Sequence, residues 1–318
     1  MWGNALGWCI SFCIVAATAA GLVYVQRLDH PTPPTELVAD AQNLDELELP
    51  VDPFTLIPKL TGEADSAELL RRAAMAYQSD PVTYDRAAEG EVPDDFDTLP
   101  AIAPLIDGAM ARGTVVVGDM PEEVITFKPR ARLSALRVLG DGVIRAGMYR
   151  EKKDPAAAAR LHTAAFALGA KMCQERLVFA EFIGGLDLMS QAAARLVKLE
   201  ANKTRAQDLA SFLDAQRTFV APRVNPIWQV LGTIDPGVIS THAGDLRVFA
   251  KDAKERMWRV EAIFALGRTR FSASNLRDRV AAVHLLDELS ASSDSDPIVK
   301  MAAKSARAMT AEDYHQLQ

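Results

Sequence analysis

Residues 131–172, ARLSALRVLGDGVIRAGMYREKKDPAAAARLHTAAFALGAKM, contain the strongest secondary-structure signal in this chain. Apolar and small side chains recur there every three or four residues, the spacing that places them on one face of a helix. Asp154-Pro155 divides the stretch. Asp is a favoured N-cap residue, and Pro is tolerated at the first helical position. The stretch therefore predicts two helices joined by a short turn.

The same start signal occurs twice more, at Asp235-Pro236 and Asp296-Pro297. Asp65 lies three residues before Glu68, the spacing of a capping box at a helix start. These signals and the apolar stripes between them predict eight to ten helices and no long strands over residues 64–318.

The stretches TVVVG (114–118) and VITF (124–127) are the least regular part of the body. They could pair as a small β-hairpin. The alternative is that they are extended connections that cover the helices.

The predicted fold class is all-α, an irregular αα-hairpin array that follows one N-terminal transmembrane helix. Residues 131–172 look like a tetratricopeptide-type hairpin, although the large aromatic expected on the first helix is missing. Residues 253–309 look more like HEAT-type pairs. No fixed period runs through the chain, so the predicted repeats are irregular.

An apolar N-terminus followed by the stretches at 128–172 and LVFAEFIGGLDLMSQAA (177–193) resembles uncharacterised bacterial membrane-anchored helical proteins. The resemblance covers about residues 60–220 and rests on pattern and composition. It implies a helical fold and membrane anchoring. It implies no activity, cofactor or site residue.

Residues Ala5–Val25 form a run of 21 residues without a charge. As a helix this run spans about 31 Å, close to the hydrocarbon thickness of a bilayer. We predict a transmembrane anchor over residues 1–26, with the membrane contacted by 3–26. A cleaved signal peptide is the alternative, because Ala17–Ala20 (ATAA) could satisfy a signal peptidase.

Residues 27–63 are predicted to be a Pro-rich acidic linker. Its prolines disfavour a long helix, and no Lys or Arg occurs between Asp29 and Pro58. An acidic tether gains nothing from an anionic cytoplasmic leaflet. We therefore expect a single-pass membrane protein whose main domain, residues 64–318, lies outside the cytoplasm.

Composition excludes several classes of protein. The chain has 318 residues, of which 49% are hydrophobic and 24% charged, so most of it is not disordered. The net charge is −7 with cations scattered among acids, which argues against nucleic acid as a partner. Cys173 is alone outside the apolar N-terminus, so no disulfide framework is predicted.

No catalytic, cofactor-binding or metal-binding residue is predicted, because the chain contains no Walker loop, HExxH, GxSxG or CxxC motif. His284, Asp287 and Glu288 share a helix face, but a metal site needs more ligands than they supply. His162 and Cys173 lie three turns apart on one predicted helix, about 16 Å, too far for a nucleophile and its base.

Two further groups have both a functional and a structural interpretation. Glu175, Glu181 and Asp187 lie in an apolar segment, where buried carboxylates would mark a site, although pairing with arginines or exposure is the simpler interpretation. Four aromatics could line a peptide groove, but core packing is the default for them. They are Trp228, Trp258, Phe264 and Phe271.

The functional expectation is a membrane-tethered helical scaffold that binds another protein at the cell envelope, since hairpin arrays present extended concave surfaces. The alternative is an enzyme or small-ligand binder with a pocket enclosed by the helices. Polar groups converging in a deep cavity would distinguish the two. Phe264 is predicted to be buried between the flanking helices, with Leu276, Val280, Val283 and Leu286 supplying the facing stripe.

Overall fold

The structure is a computed structural model that describes residues 30–37, 49, 51–57, 66–109, 131–292 and 296–318. Thirteen α-helices and two 3-10 turns make up the ordered elements of these residues, and no strand occurs among them. The all-α prediction is therefore confirmed. The suggested β-hairpin at 114–127 lies outside the described residues.

The helices are α1 Ser66–Ser79, α2 Pro81–Glu89, α3 Ile102–Ala109, α4 Ala131–Arg150, α5 Pro155–Glu175, α6 Phe179–Leu199, α7 Lys203–Leu231, α8 Pro236–Thr241, α9 Ala243–Asp252, α10 Arg256–Ser272, α11 Leu276–Ala291, α12 Pro297–Ala308 and α13 Ala311–Leu317. The 3-10 turns are Pro53–Thr55 and Phe96–Thr98.

Asp-Pro pairs start four of these helices. The three predicted pairs begin α5, α8 and α12, and Asp80-Pro81 begins α2. In each case the Asp side chain accepts a backbone N–H of the first turn, and Pro occupies a position whose N–H has no helical partner. The structure describes more helices than the eight to ten expected, because several of them are short. Helix α2, for example, ends at Glu89, and the next residue, Gly90, has a φ of 114°.

One hydrophobic cluster runs through the chain from Leu56 to Ala306. In its N-terminal half α5 packs against α4 and α6, and in its C-terminal half α10 packs against α9, α11 and α12. Phe179 joins the halves: its ring stacks on Trp228 of α7 at 4.1 Å and on Trp258 of α10 at 5.5 Å between centroids. Most contacts are made between helices that are close in sequence. The tetratricopeptide and HEAT assignments stay predictions.

Phe264 is 2% exposed, so its predicted burial is confirmed. The predicted facing stripe on α11 is wrong at its start, because Leu276 and Val280 are 63% and 54% exposed. The buried face of α11 is rotated from that stripe. It consists of Asp278, Ala282, Leu285, Leu286 and Leu289.

Two glycines set the distance between α5 and α6. A Cβ on Gly185 would lie 2.5 Å from the carbonyl oxygen of Gly169, and the reverse substitution gives the same distance. The sequence suggested a bend at Gly184-Gly185, but α6 continues through both residues. Gly185 therefore serves close helix approach instead of a bend.

Parts of the predicted linker contact the helical body. Pro53, Leu56 and Ile57 are buried, and the Arg205 side chain of α7 donates from Nε to the Leu56 carbonyl at 3.3 Å. Residues 31–35 lie against α9 and α11, as described below. The domain boundaries at 26 and 63 stay predictions.

The predicted anchor at residues 3–26 lies outside the described residues. Among the helices that are described, none combines the length and apolar character needed to cross a membrane.

Candidate binding groove between helices α9 and α11

Two carboxylates are completely buried where α9 and α11 meet the N-terminal segment. Asp245 lies in the first turn of α9 and Asp278 in the first turn of α11, and both are 0% exposed. A buried carboxylate is unfavourable unless hydrogen-bond donors surround it. The donors come from the helices themselves and from residues 32–35.

Asp278 binds Thr32 through both of its oxygens. The Thr32 backbone N–H donates to Oδ1 at 2.9 Å, and the Thr32 hydroxyl donates to Oδ2 at 2.6 Å. Arg247 of α9 donates from Nη1 to Oδ1 at 2.9 Å and from Nη2 to the Thr32 carbonyl. The three residues therefore form one closed network.

Asp245 binds Thr35 in the same way. The Thr35 backbone N–H donates to Oδ1 at 2.6 Å, and its hydroxyl donates to Oδ2 at 2.8 Å. The Nδ1 atom of His242 lies 2.6 Å from Oδ2. We call Asp245 and Asp278 the aspartate clamp.

The spacing of the two threonines suits an extended proline-rich chain. Residues three apart face the same way in a polyproline II helix, which has three residues per turn. Pro33 and Pro34 between the threonines favour that conformation. Gly244 allows the close approach, because a Cβ there would overlap the backbone of Pro33 and Pro34. We call Thr32–Thr35 the strap.

A groove of about 530 Å³ lies beside the strap. Its lining consists of Pro31, Pro34 and residues of α9 and α11. The basic residues among them are Arg247, Lys251 and Arg277, and the acidic residue is Asp252. Val280 of α11, which also lines the groove, and nearby Leu276 are large apolar side chains exposed to solvent.

His284, Asp287 and Glu288, the candidate metal ligands on α11, have other contacts. Asp287 accepts from Arg307 Nε at 2.7 Å, and Glu288 lies 3.7 Å from Lys251 Nζ. Nowhere in the described part of the chain do three or more candidate ligands come together. His284 lines the groove instead.

His162 and Cys173 are both buried on α5, at separate points of one continuous helix. Burial lowers the pKa of the His162 imidazole, and its Nε2 lies 3.2 Å from Glu151 Oε1, which opposes that shift. Burial, followed by the charge of Glu181, raises the pKa of the Cys173 thiol well above its ordinary value. The thiol donates to the Phe182 carbonyl at 3.4 Å. The structure does not bring the two residues together as a catalytic pair.

Of the candidate carboxylates, Glu181 has a structural role and Asp187 is exposed. Glu181 is buried and accepts the Leu177 backbone N–H at 3.0 Å, at the turn that precedes α6. Glu261 of α10 accepts the Phe179 N–H at 3.0 Å, a contact the sequence did not predict. Asp187 is exposed. Glu261 therefore holds the start of α6 against α10, and Glu181 fixes the turn before α6.

The four candidate aromatics do not line the groove. Trp258 and Phe264 are buried in the core, and Trp228 is partly buried in its stack on Phe179. Phe271 stacks on Tyr314 at 5.9 Å. Core packing is thus the role of Trp228, Trp258 and Phe264, while Phe271 packs on the C-terminal helix.

Sequence reasoning missed the aspartate clamp because both acids resemble ordinary first-turn residues, which helix N-termini favour. One signal was present: Asp278 precedes Ala282, Leu285 and Leu289 by four, seven and eleven residues, so it lies on the buried face. The threonines that bind the two aspartates, Thr32 and Thr35, are more than 200 positions away from them in sequence.

No protein-family model, curated protein or solved structure matches this chain.

Proposed function

We propose that this protein is a membrane-tethered helical scaffold whose groove between α9 and α11 binds an extended segment of another protein at the cell envelope. The main domain is placed outside the cytoplasm in this proposal. The membrane contact is assigned to residues 3–26. No cofactor, metal or nucleic acid takes part.

The observation that carries the proposal is the exposed Val280, which lines the groove together with Pro31 and Pro34, with the exposed Leu276 one helical turn before it. Exposed apolar side chains beside a concavity are typical of protein-binding surfaces. The strap supports the choice of ligand, because it lies on this surface as extended backbone held through its N–H groups and hydroxyls.

Charge further defines the partner. The groove residues Arg247, Lys251 and Arg277 carry three positive charges against the single negative charge of Asp252. An extended segment with acidic side chains therefore complements the groove better than a basic one. Arg247 is paired with Asp278 and Lys251 lies 3.7 Å from Glu288, so the preference for an acidic segment depends on all the lining charges together.

An enzyme or small-ligand binder is the rival proposal. It would need polar groups that converge in a deep cavity. The groove at α9 and α11 lies at the surface, and its buried carboxylates are already occupied by Thr32 and Thr35. These features favour peptide binding over chemistry.

The test is crosslinked capture of the tagged full-length protein from its native membrane, compared with a Leu276→Asp/Val280→Asp variant. Both sites are exposed, so the fold should survive, which a thermal melt verifies. The captured protein is identified by mass spectrometry, and its affinity is then measured with both proteins purified. We expect about a tenfold or greater loss of affinity, since charges replace apolar contacts.

The matched control is Met75→Asp/Val82→Asp, which places the same charges at exposed apolar sites of α1 and α2. This variant should bind the partner as the unmodified protein does. Equal affinity of the groove variant and the control would refute the groove as the binding surface. Saturable binding of a small molecule lost in the groove variant would favour the rival proposal.

A further inference from the structure

We infer that the aspartate clamp is a recognition site for an extended segment that carries Thr or Ser at two positions three residues apart, and that the strap is the built-in competitor of that segment. The inference rests on the proposed function, because it names the sequence feature by which the groove between α9 and α11 selects its protein ligand. A partner segment of this kind displaces the strap and takes its place on the clamp.

The strap shows which ligand the clamp accepts. Each threonine donates its backbone N–H to one oxygen of an aspartate and its hydroxyl to the other oxygen, at distances between 2.6 and 2.9 Å. Every residue except proline has a backbone N–H, but only Thr and Ser carry a hydroxyl on Cβ, close to their own N–H. The clamp therefore distinguishes hydroxyl-bearing residues from all others at both positions.

The separation of the two aspartates sets the spacing of the hydroxyl residues. Residues three apart face the same way in a polyproline II chain, and Pro33 and Pro34 favour that conformation. A Cβ at Gly244 would overlap the backbone of both prolines. The absence of a side chain at Gly244 thus leaves room for the backbone of any extended segment that joins two hydroxyl residues.

The clamp keeps other partners when the strap leaves. Arg247 donates from Nη1 to Asp278 at 2.9 Å, and Nδ1 of His242 lies 2.6 Å from Oδ2 of Asp245. A buried carboxylate without any donor is strongly unfavourable, whereas each aspartate of the clamp has a neighbouring side chain that belongs to the helical body. An incoming segment with the same N–H and hydroxyl donors restores every bond that the strap made to the aspartates.

The strap is attached at the surface of the body. Its residues are exposed except for Thr32, which is half-buried. Much of the attachment therefore comes from hydrogen bonds, which water or another chain can replace. Pro31 and Pro34 also line the groove that holds Val280, so the place of the strap is continuous with the groove. One partner segment can therefore occupy both.

Two synthetic peptides that copy residues 30–37 test the inference on the full-length protein in detergent. The serine peptide carries Thr32→Ser and Thr35→Ser and keeps both hydroxyls. The valine peptide carries Thr32→Val and Thr35→Val, and valine has the shape of threonine without the hydroxyl. The protein is used unmodified and as a Thr32→Val/Thr35→Val variant, whose own strap lacks the hydroxyls and whose folding is checked by a thermal melt.

The affinity of each peptide is measured from its NMR signals, which detect binding into the millimolar range. Because the unmodified strap has a high local concentration at the clamp, we expect the serine peptide to bind the variant about tenfold or more tightly than the unmodified protein. The valine peptide should bind the variant about tenfold or more weakly than the serine peptide, since it leaves buried carboxylates short of donors. Equal affinity in either comparison, or no binding of the serine peptide to the variant, would overturn the inference.

Displacement of the strap is measured in the unmodified protein by hydrogen exchange of the fragment that covers residues 30–37. The serine peptide differs in mass from this fragment, so mass spectrometry distinguishes them. At about ten times its Kd for the variant, the serine peptide should speed the exchange about fivefold or more, because its binding increases the population of the open clamp. The valine peptide should leave the exchange unchanged. Exchange that neither peptide alters would show that the strap is a fixed part of the body and not a competitor.

The proposed function is tested separately, because Leu276→Asp/Val280→Asp leaves the strap and both aspartates of the clamp unchanged. Undiminished capture of the partner by that variant would refute the groove as a protein-binding surface, whatever the peptides show. The peptide measurements concern the clamp alone.

Discussion

At the scale of single residues, buried ionisable side chains differ in whether hydrogen-bond donors surround them. Asp245 and Asp278 are buried but receive hydrogen bonds from threonines and neighbouring side chains. His162 and Cys173 are instead favoured in their neutral forms by burial. Asp245 and Asp278 therefore bind the strap, whereas the titration and reactivity of His162 and Cys173 can be used to probe the core.

His162 should make stability depend on pH. Its pKa in the folded protein is lowered from the ordinary 6.5 by burial, so the unfolded chain takes up the proton first as pH falls. The stabilising contribution is thus present above about pH 6.5 and is lost as pH falls toward the lowered pKa, with a slope of at most about 1.4 kcal/mol per pH unit.

The measurement is the free energy of unfolding by denaturant between pH 7.5 and 5.5, for the unmodified protein and His162→Gln. Glutamine can keep a hydrogen bond to Glu151 but does not titrate. We expect the variant to lose less stability than the unmodified protein over this range. The difference should be at most about 1.4 kcal/mol per pH unit. Parallel pH profiles would contradict the prediction.

Cys173 should be unreactive in the folded protein. The thiolate is the reactive form, and burial keeps this side chain as a thiol at neutral pH. Treatment with an alkylating reagent, followed by mass spectrometry of the fragment that contains Cys173, should show modification only after denaturant unfolds the chain. Rapid modification of the native protein would show that α5 opens locally.

At the scale of helices, the α5–α6 contact depends on glycine. A Cβ on Gly185 would lie 2.5 Å from the Gly169 backbone oxygen. A backbone atom, unlike a side-chain atom, cannot move aside by rotating about a side-chain bond. We expect Gly185→Ala to cost about 1–3 kcal/mol of unfolding free energy, the usual range for overpacking, measured by urea titration.

Gly184→Ala is the control for that variant. Its Cβ would meet only the terminal methyl of Met172, at 3.3 Å, and that side chain is flexible. Because Ala has the higher helix propensity, this variant should be neutral or more stable by up to about 1 kcal/mol. Equal destabilisation by both substitutions would contradict the steric explanation, because only Gly185→Ala creates an overlap with α5.

Phe264 tests the packing of α10. The side chain is buried in the cluster that α10 shares with α9, α11 and α12. Phe264→Ala should cost about 3–5 kcal/mol, the range for a core Phe. Val280→Ala, at an exposed position of α11, should change the melting temperature little; an unchanged melt for Phe264→Ala would place the ring at an interface.

At the scale of the whole molecule, the uncharged N-terminal run predicts a membrane location for the body. An uncharged run of this length favours an anchor that is retained. Mass spectrometry of the protein from its native membrane should therefore identify peptides that begin before Ala17. A mature N-terminus near Ala20 or Gly21 would show that the segment is a cleaved signal.

The sequence by itself determined the helical class and three of the helix starts, because caps and apolar spacing are local properties. Asp154-Pro155 and Asp296-Pro297 mark their helices without knowledge of any neighbour. Burial of Phe264 was also predictable, since its helix is apolar on more than one side. The buried face of α11 was not, because exposed Leu276 and Val280 fit a helical stripe as well as the core residues do.

Only the tertiary structure decided the candidate site. Thr32 and Thr35 lie in a proline-rich stretch that reads as linker, and Asp245 and Asp278 read as first-turn acids on separate helices. Their hydrogen bonds join residues 210 and 246 positions apart. Such contacts depend on how α9 and α11 pack, on the absence of a side chain at Gly244, and on the direction of the strap. None of these is encoded in a local pattern, so the fold class came from the sequence and the clamp from the packing.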